Sequence, residues 1–126
     1  MQLGYTILYV PDVRRSVAFY GQAFGLAPSF VDEAGDFATL ATGSTALAFC
    51  AHSLLASQGK TPGAPDRMRP CFEIALTTED VPAALERAVS AGAQLIQAPE
   101  EMPWGQTVAY VADPDGFWVE LCTPMG

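Results

Sequence analysis

The sequence predicts an α+β fold made of two βαβββ modules, and three features of the 126-residue chain support this. Half of the residues are apolar and 16% are charged, which is enough to bury the core of one domain. Two stretches that begin with Asp-Val, at Asp12 and at Asp80, have the apolar spacing of amphipathic helices and lie 68 residues apart. One strand-like segment precedes each of these helices, and three follow it.

The first module is predicted to span residues 1–51. Gly4–Val10 has the composition of a first strand. The helix that follows Asp12 is expected to end near Gly25, because glycine readily adopts the left-handed conformation just past a helix end. Three short strands are predicted after it, at Pro28–Asp32, Asp36–Ala41 and Thr45–Cys50.

The second module is predicted to span residues 70–126, after a linker at 52–69 that is rich in glycine and proline. Its first strand is Cys71–Thr77, and Thr78 is a candidate N-cap for the helix that follows. Pro82 falls in the first helical turn, where proline is tolerated. The three later strands are predicted at Gln94–Gln97, Gln106–Ala112 and Phe117–Cys122.

A sheet of four strands with a single helix on one face leaves its other face open. We therefore expect the two modules to form a half-barrel with a shared cleft, all within a single domain, and we expect the cleft to hold a ligand.

Charge and cysteine content exclude several classes of function. The chain has 14 acidic and 6 basic residues and a net charge of −8, which argues against binding to nucleic acid or to anionic membranes. No apolar run approaches the ~18 residues of a membrane span. The cysteines Cys50, Cys71 and Cys122 are odd in number and form no CxxC motif, as expected of free thiols in a cytoplasmic protein.

Two segments of the chain, LYVPDVRRSVAFYGQAFGL and PWGQTVAYVADPDGFWVEL, carry a family resemblance. Over nearly its whole length the chain resembles the vicinal oxygen chelate superfamily, which groups glyoxalase, bleomycin resistance protein and extradiol dioxygenase. The resemblance implies a homodimer. It does not select one reaction, because the family contains metal-dependent lyases, isomerases and dioxygenases as well as metal-free proteins that bind drugs.

The resemblance also implies where a metal would bind. Metal-binding members place ligands, usually His and Glu, at four equivalent positions, and here these are Tyr5, Ala48, Glu73 and Glu120. Alanine has no ligand atom, and a neutral tyrosine is a poor ligand. The one histidine, His52, would be recruited only if its strand extends past Cys50. We therefore expect no cofactor, with a divalent metal on Glu73 and Glu120, joined by Tyr5 or His52, as the alternative.

Strand alternation predicts which side chains face the cleft. With the loop residue Trp104, the candidate ligand-binding residues are Tyr5, Ile7, Tyr9, Ala48, Cys50, Glu73, Trp104, Tyr110 and Trp118, and the candidate catalytic residue is Glu120. We expect Glu73 and Glu120 to point into the cleft from opposite walls and their like charges to raise at least one pKa. Aromatic faces beside negative charge suit a planar or cationic ligand.

Two functions remain open from the sequence. The first is binding of a small, partly aromatic or cationic molecule without a full catalytic metal site. The alternative is a metal-dependent glyoxalase-like lyase or isomerase that uses Glu120 and Glu73. A dioxygenase would need iron with two imidazoles, and the chain has one histidine. Arg67 and Arg69, beside the linker, are either contacts for an anionic substrate or surface residues.

Overall fold

The computed structural model of the chain describes residues 1–125 and divides it into two compact units. The first unit is Met1–Ala64 and the second begins at Pro65. Each unit contains one four-stranded sheet, and its first strand and main helix precede its other three strands. The predicted α+β class and the two βαβββ modules are therefore confirmed.

In chain order the elements of the first unit are β1 (Tyr5–Val10), α1 (Val13–Phe24), β2 (Pro28–Val31), β3 (Phe37–Leu40), β4 (Ala46–Ala51) and α2 (His52–Ser57). The sheet has the strand order β1-β4-β3-β2. Strands β1 and β4 are parallel and the other neighbours are antiparallel, and the chain from α1 through β3 makes the long connection that a parallel pair requires.

Helix α1 begins and ends where the sequence predicts. The Asp12 carboxylate accepts a hydrogen bond from the backbone N–H of Arg15, and Gly25 ends the helix with φ of 71°. Its apolar side packs on the sheet, where the rings of Tyr20 and Phe49 meet edge to face with centroids 5.0 Å apart. This packing fixes which face of the first sheet is covered by the helix.

The elements of the second unit are β5 (Glu73–Thr77), α3 (Val81–Ser90), β6 (Gln94–Glu101), β7 (Thr107–Ala112) and β8 (Trp118–Cys122). It repeats the topology of the first unit, with the strand order β5-β8-β7-β6 and a parallel pair β5–β8. The covered face of this sheet includes Val111, Val119 and Leu121, all of which are buried. The side chains that alternate with them along β7 and β8 lie on the opposite, open face.

The N-cap of α3 differs from the prediction. Asp80, rather than Thr78, caps the helix, because its carboxylate accepts from the backbone N–H of Ala83 at 3.0 Å. The Thr78 hydroxyl instead accepts from the backbone N–H of Asp80. Asp80 therefore takes the role that Asp12 has in the first unit.

Two segments contain more regular structure than predicted. Residues 52–57, which we assigned to the linker, form the short helix α2. Strand β6 continues to Glu101 instead of stopping near Gln97, and its pairing with β7 shifts register twice. Strand β6 contains Pro99 and lies at the edge of its sheet, where proline is tolerated because one side of the strand has no neighbour to bond. No helix within residues 1–125 has the length and apolar character needed to cross a membrane.

The turn before β8 is held by one buried carboxylate. Oδ1 of Asp113 accepts from the backbone N–H groups of Asp115, Gly116 and Phe117, each at 2.9 Å. Asp113 is 1% exposed, so these bonds satisfy a buried charged group and hold the turn in one conformation. The turn therefore fixes where β8, and with it Trp118 and Glu120, begins.

Candidate functional site

The open face of the second sheet brings two acidic side chains together. In the parallel pair β5–β8, Glu73 lies opposite Trp118 and Ala75 lies opposite Glu120, so all four share one face. The prediction that the two glutamates point into the cleft from opposite walls is therefore wrong. They lie side by side on neighbouring strands of one sheet, since β5 and β8 pair directly.

Tyr110 completes the acidic group from the third strand. It is the cross-strand partner of Glu120 in the antiparallel pair β7–β8, and its hydroxyl donates a 2.8 Å hydrogen bond to Oε1 of Glu120. Cys122 lies two residues after Glu120 on the same face. Its thiol donates a weak 3.9 Å hydrogen bond to the carbonyl of Leu76 and is close enough to Glu120 to interact with that carboxyl group. We call Glu73, Tyr110, Glu120 and Cys122 the acidic cluster.

The members of the acidic cluster shift one another's protonation. Partial burial, the charge of Glu120 and the hydrogen bond with Glu120 raise the pKa of Glu73, while a hydrogen bond from Tyr110 opposes this. Burial, the bond to Glu120 and the nearby negative charges raise the pKa of Tyr110 above its ordinary value. The same causes raise the pKa of Cys122 to about 11. Tyr110 and Cys122 are therefore neutral hydrogen-bond donors at neutral pH.

Aromatic rings border the acidic cluster. The rings of Tyr110 and Trp118 have centroids 5.5 Å apart and planes inclined at 51°. The indole N–H of Trp118 donates a 2.9 Å hydrogen bond to the backbone carbonyl of Arg67. The open face of the second sheet thus carries two carboxyl groups next to two aromatic rings, an arrangement that attracts cations electrostatically.

Trp104 lies in the loop between β6 and β7 and is 65% exposed. Its indole N–H donates to Oε1 of Gln106 at 2.7 Å, and the Gln106 amide donates to the carbonyl of Thr123 at 2.8 Å. Together with Gln106, Pro124 and Met125 it lines an open depression of about 450 Å³. Two hydrogen bonds in series therefore hold an exposed aromatic ring in place.

The candidate residues of the first unit share the open face of the first sheet. Tyr5, Ile7 and Tyr9 are exposed on β1, and the β1–β4 register places Ala48 opposite Ile7 and Cys50 opposite Tyr9. Ala48 is fully buried and Cys50 is 7% exposed, so neither small side chain offers much surface to a ligand. Burial raises the pKa of the Cys50 thiol, assisted by the charge of Asp36 and opposed by that of Lys60.

His52 does not extend β4. The strand ends at Ala51, and His52 is the first residue of α2. Its Nε2 atom is buried and has no hydrogen-bond partner among residues 1–125. The condition for recruiting His52 as a ligand, an extended strand, is therefore not met.

The donors at the four family positions do not fit a catalytic zinc or iron site. Such sites take about three protein ligands, usually with imidazole among them, whereas Ala48 has only a methyl group and no histidine occupies any of the four. Glu120 already accepts the Tyr110 hydroxyl. Within residues 1–125, no group of three or more His, Cys, Asp and Glu side chains is arranged to hold a metal ion.

Three groups that lie beside the candidate site residues are missing from the sequence-based prediction. The predicted site residues do not include Cys122, and no sequence pattern indicates Gln106 or the Arg67 carbonyl as the partner of a tryptophan. Alternation along β8 is the signal that could have found Cys122. Arg67 and Trp118 are joined only by the tertiary fold, so no local pattern indicates their contact.

Comparison with known proteins agrees with this architecture. The family model of the Glyoxalase/Bleomycin resistance protein/Dioxygenase superfamily matches residues 2–121. A glyoxalase-related enzyme from Fulvimarina pelagi is 27% identical, with a TM-score of 0.82 over 98% of this chain and 88% of that one. A family enzyme from Burkholderia phytofirmans PsJN is also 27% identical, with a TM-score of 0.76 over 98% of both chains.

A protein of unknown function from Agrobacterium tumefaciens str. C58 is 28% identical, with a TM-score of 0.80 over 99% of this chain and 95% of that one. The comparison with curated proteins gives no match. Because the family model spans almost all of the sequence, the chain belongs to the glyoxalase/bleomycin resistance protein/dioxygenase superfamily.

Proposed function

We propose that this protein binds a small planar or cationic molecule on the open face of its second sheet, without a full catalytic metal site. The observation that carries the proposal is the pair Glu73 and Glu120 beside the rings of Tyr110 and Trp118. Each cation–π contact contributes about 0.5–2 kcal/mol, and unneutralised carboxylates add Coulomb attraction for a cation.

Charge selectivity tests the proposal. Calorimetric titration compares the planar cation N-methylquinolinium with neutral quinoline and anionic 2-naphthoate, which have similar ring systems. We expect the cation to bind roughly tenfold more tightly than quinoline, a difference of about 1.4 kcal/mol, and the anion to bind most weakly. Equal affinities for the three compounds, or no binding of the cation, would refute this function.

Removal of the two charges tests the site itself. The double variant Glu73→Gln, Glu120→Gln is expected to lose the preference for N-methylquinolinium while it still binds quinoline. Glu86→Gln, in α3, is the control because it removes one negative charge from the helix that covers the opposite face. If the control loses the preference to the same extent, the acidic cluster is not the site. Elemental analysis that finds a stoichiometric divalent metal in the purified protein would oppose the metal-free part of the proposal.

A second candidate function is a lyase or isomerase that uses Glu120 and Glu73, and the raised pKa of Glu73 beside Glu120 favours it. A carboxyl group with a raised pKa can act as a general acid or a general base. The test is turnover of the hemithioacetal of methylglyoxal and glutathione, with and without added divalent metals. This candidate requires turnover that Glu120→Gln abolishes, so activity that survives the substitution would remove it.

A further inference from the structure

The segment at the start of the second unit, residues 65–69, is folded tightly against the turn that leads into β8. The carboxylate of Asp66 accepts from the backbone N–H of Met68, and its carbonyl accepts from the N–H of Arg69. A Cβ atom at Gly116 would lie 3.2 Å from Cγ of Arg67 and 3.3 Å from Cγ of Pro65. We call residues 65–69 the strap, since they lie in direct contact with this turn.

The guanidinium of Arg67 fastens the strap at two points. Nη2 donates a 2.6 Å hydrogen bond to the carbonyl of Pro114, in the turn, and Nη1 donates a 3.0 Å bond to Oε1 of Gln94, at the start of β6. A planar guanidinium can make two such bonds at fixed angles, which a flexible ammonium group cannot do. Two of the five N–H donors of Arg67 are therefore engaged in contacts that hold the strap.

The backbone carbonyl of the same residue holds the indole of Trp118. Tryptophan has a single polar hydrogen, and a half-buried indole N–H requires an acceptor. The Arg67 carbonyl is that acceptor at 2.9 Å, while the Trp118 ring lies against Tyr110, whose hydroxyl donates to Glu120. The guanidinium of Arg67 is thus connected to the acidic cluster through its own carbonyl and two aromatic side chains.

We propose that Arg67 is a positioning residue, which fixes the orientation of Trp118 and thereby pre-organises the aromatic side of the ligand site. This inference rests on the proposed function for its effect on binding, although the effect on Trp118 itself is independent of any ligand. Without its two anchors the strap loses its fixed place on the turn, and the indole loses its fixed acceptor. A ligand must then order the ring when it binds, which lowers affinity.

The experiment uses the 126-residue chain with Trp104→Phe, so that Trp118 is the one remaining tryptophan. In this background we compare Arg67→Ala, Arg67→Lys and Arg69→Ala. Arg69→Ala is the matched control, since it removes the same positive charge two residues away. The first measurement, made without ligand, is acrylamide quenching and time-resolved anisotropy of Trp118. The second is the Kd of N-methylquinolinium.

We expect Arg67→Ala to increase both the quenching and the mobility of Trp118 and to weaken N-methylquinolinium binding roughly 2- to 10-fold. For Arg67→Lys we expect quenching, mobility and Kd values between those of the parent and those of Arg67→Ala, because an ammonium group can replace only part of the bidentate anchor. Arg69→Ala is expected to leave Trp118 as protected as in the parent. If only the loss of a positive charge mattered, both alanine variants would bind the cation more tightly. Weaker binding in Arg67→Ala but not in Arg69→Ala therefore shows an effect of positioning rather than of charge.

Two results would overturn the inference. One is a Trp118 in Arg67→Ala that is as protected and immobile as in the parent. The other is a mobile Trp118 with a Kd equal to that of Arg69→Ala. If the protein with its native Trp104 does not bind N-methylquinolinium, the proposed function fails, and the quenching measurement alone decides whether Arg67 positions Trp118. If Arg67→Ala does not fold, Gln94→Ala removes one anchor on the exposed edge strand and is expected to increase quenching by a smaller amount.

Discussion

At the scale of single residues, the three free cysteines differ in the properties that control thiol reactivity. Cys71 is exposed, whereas Cys122 and Cys50 are buried. Burial, the hydrogen bond to Glu120 and the negative charges of Glu120 and Glu73 raise the pKa of Cys122 to about 11. Because the thiolate is the reactive form, burial and protonation both lower the reactivity of Cys122.

We therefore expect iodoacetamide at pH 8 to modify Cys71 in the native protein and to leave Cys122 and Cys50 unmodified. At that pH only about one in a thousand Cys122 side chains is ionised. Intact-mass and peptide mass spectrometry give the number and place of the adducts. Cys71→Ser should abolish native labelling, and unfolding in urea should expose all the remaining thiols. Rapid native labelling of Cys122 would contradict the protonated state assigned to it.

The raised pKa of Glu73 predicts a pH dependence of stability with a definite sign. In the unfolded chain Glu73 titrates near its ordinary value of about 4.3, while in the folded protein it keeps its proton to higher pH. Between these two pKa values the folded state binds more protons than the unfolded state. The free energy of unfolding therefore decreases as the pH rises through that window.

The glutamine in Glu73→Gln cannot ionise, so the free energy of unfolding of this variant should not show the decrease that the ionisation of Glu73 causes. We expect the Tm of the variant, relative to the native sequence, to rise between pH 4 and pH 7 and to show no such gain below pH 4. Glu86→Gln, on α3, controls for the general loss of one negative charge. Parallel curves of Tm against pH for Glu73→Gln and the native protein would show that burial and Glu120 do not raise the pKa of Glu73.

At the scale of elements, the two modules use the same device to start their main helices. Asp12 and Asp80, 68 residues apart, each accept a hydrogen bond from the backbone N–H three residues later, at 3.1 and 3.0 Å. Removal of an N-cap oxygen costs about 1 kcal/mol, and asparagine caps about as well as aspartate.

We expect Asp12→Ala and Asp80→Ala each to lower the free energy of unfolding by about 1 kcal/mol, measured by urea denaturation. Asp12→Asn and Asp80→Asn should restore most of that loss, because the amide oxygen accepts the same hydrogen bond. If the asparagine variants are as unstable as the alanine variants, the contribution comes from the charge near the helix N-terminus rather than from the cap.

Local patterns predicted the helices and strands well where a periodicity or a turn residue was present. They predicted poorly the features that depend on which strands pair with each other. The helix that ends at Gly25 and the strands of both modules follow from apolar spacing and glycine. The length of β6 does not follow from such patterns. Proline is tolerated only in an edge strand, and the sequence does not indicate that the strand containing Pro99 lies at the edge. For the same reason alternation placed Glu73 and Glu120 on open faces but could not show that β5 and β8 are neighbours.

At the scale of the whole molecule, the duplicated pattern predicts the two-module fold, and the resemblance carried by two sequence segments implies the family. The identity of the ligand depends on contacts that neither of them contains. The hydrogen bond from Tyr110 to Glu120 requires the register of β7 on β8, and the one from Trp118 to the Arg67 carbonyl requires a loop placed by the fold. The homodimer and the cytoplasmic location stay predictions of the family resemblance and of the free thiols.

The net charge of −8 gives a prediction that belongs to the molecule as a whole rather than to any one side chain. The Debye length falls from about 30 Å at 0.01 M salt to about 3 Å at 1 M, so at low salt a cationic ligand is attracted by charges far from its site. We expect the Kd of N-methylquinolinium to rise steadily with NaCl concentration over this range and that of quinoline to stay nearly constant. The dependence should be largest in the native protein, smaller in the Glu73→Gln, Glu120→Gln variant and only slightly reduced in Glu86→Gln, because nearby charges contribute most. A Kd for the cation that does not change with salt would mean that stacking alone holds the ligand, and the acidic cluster would then have no part in its selection.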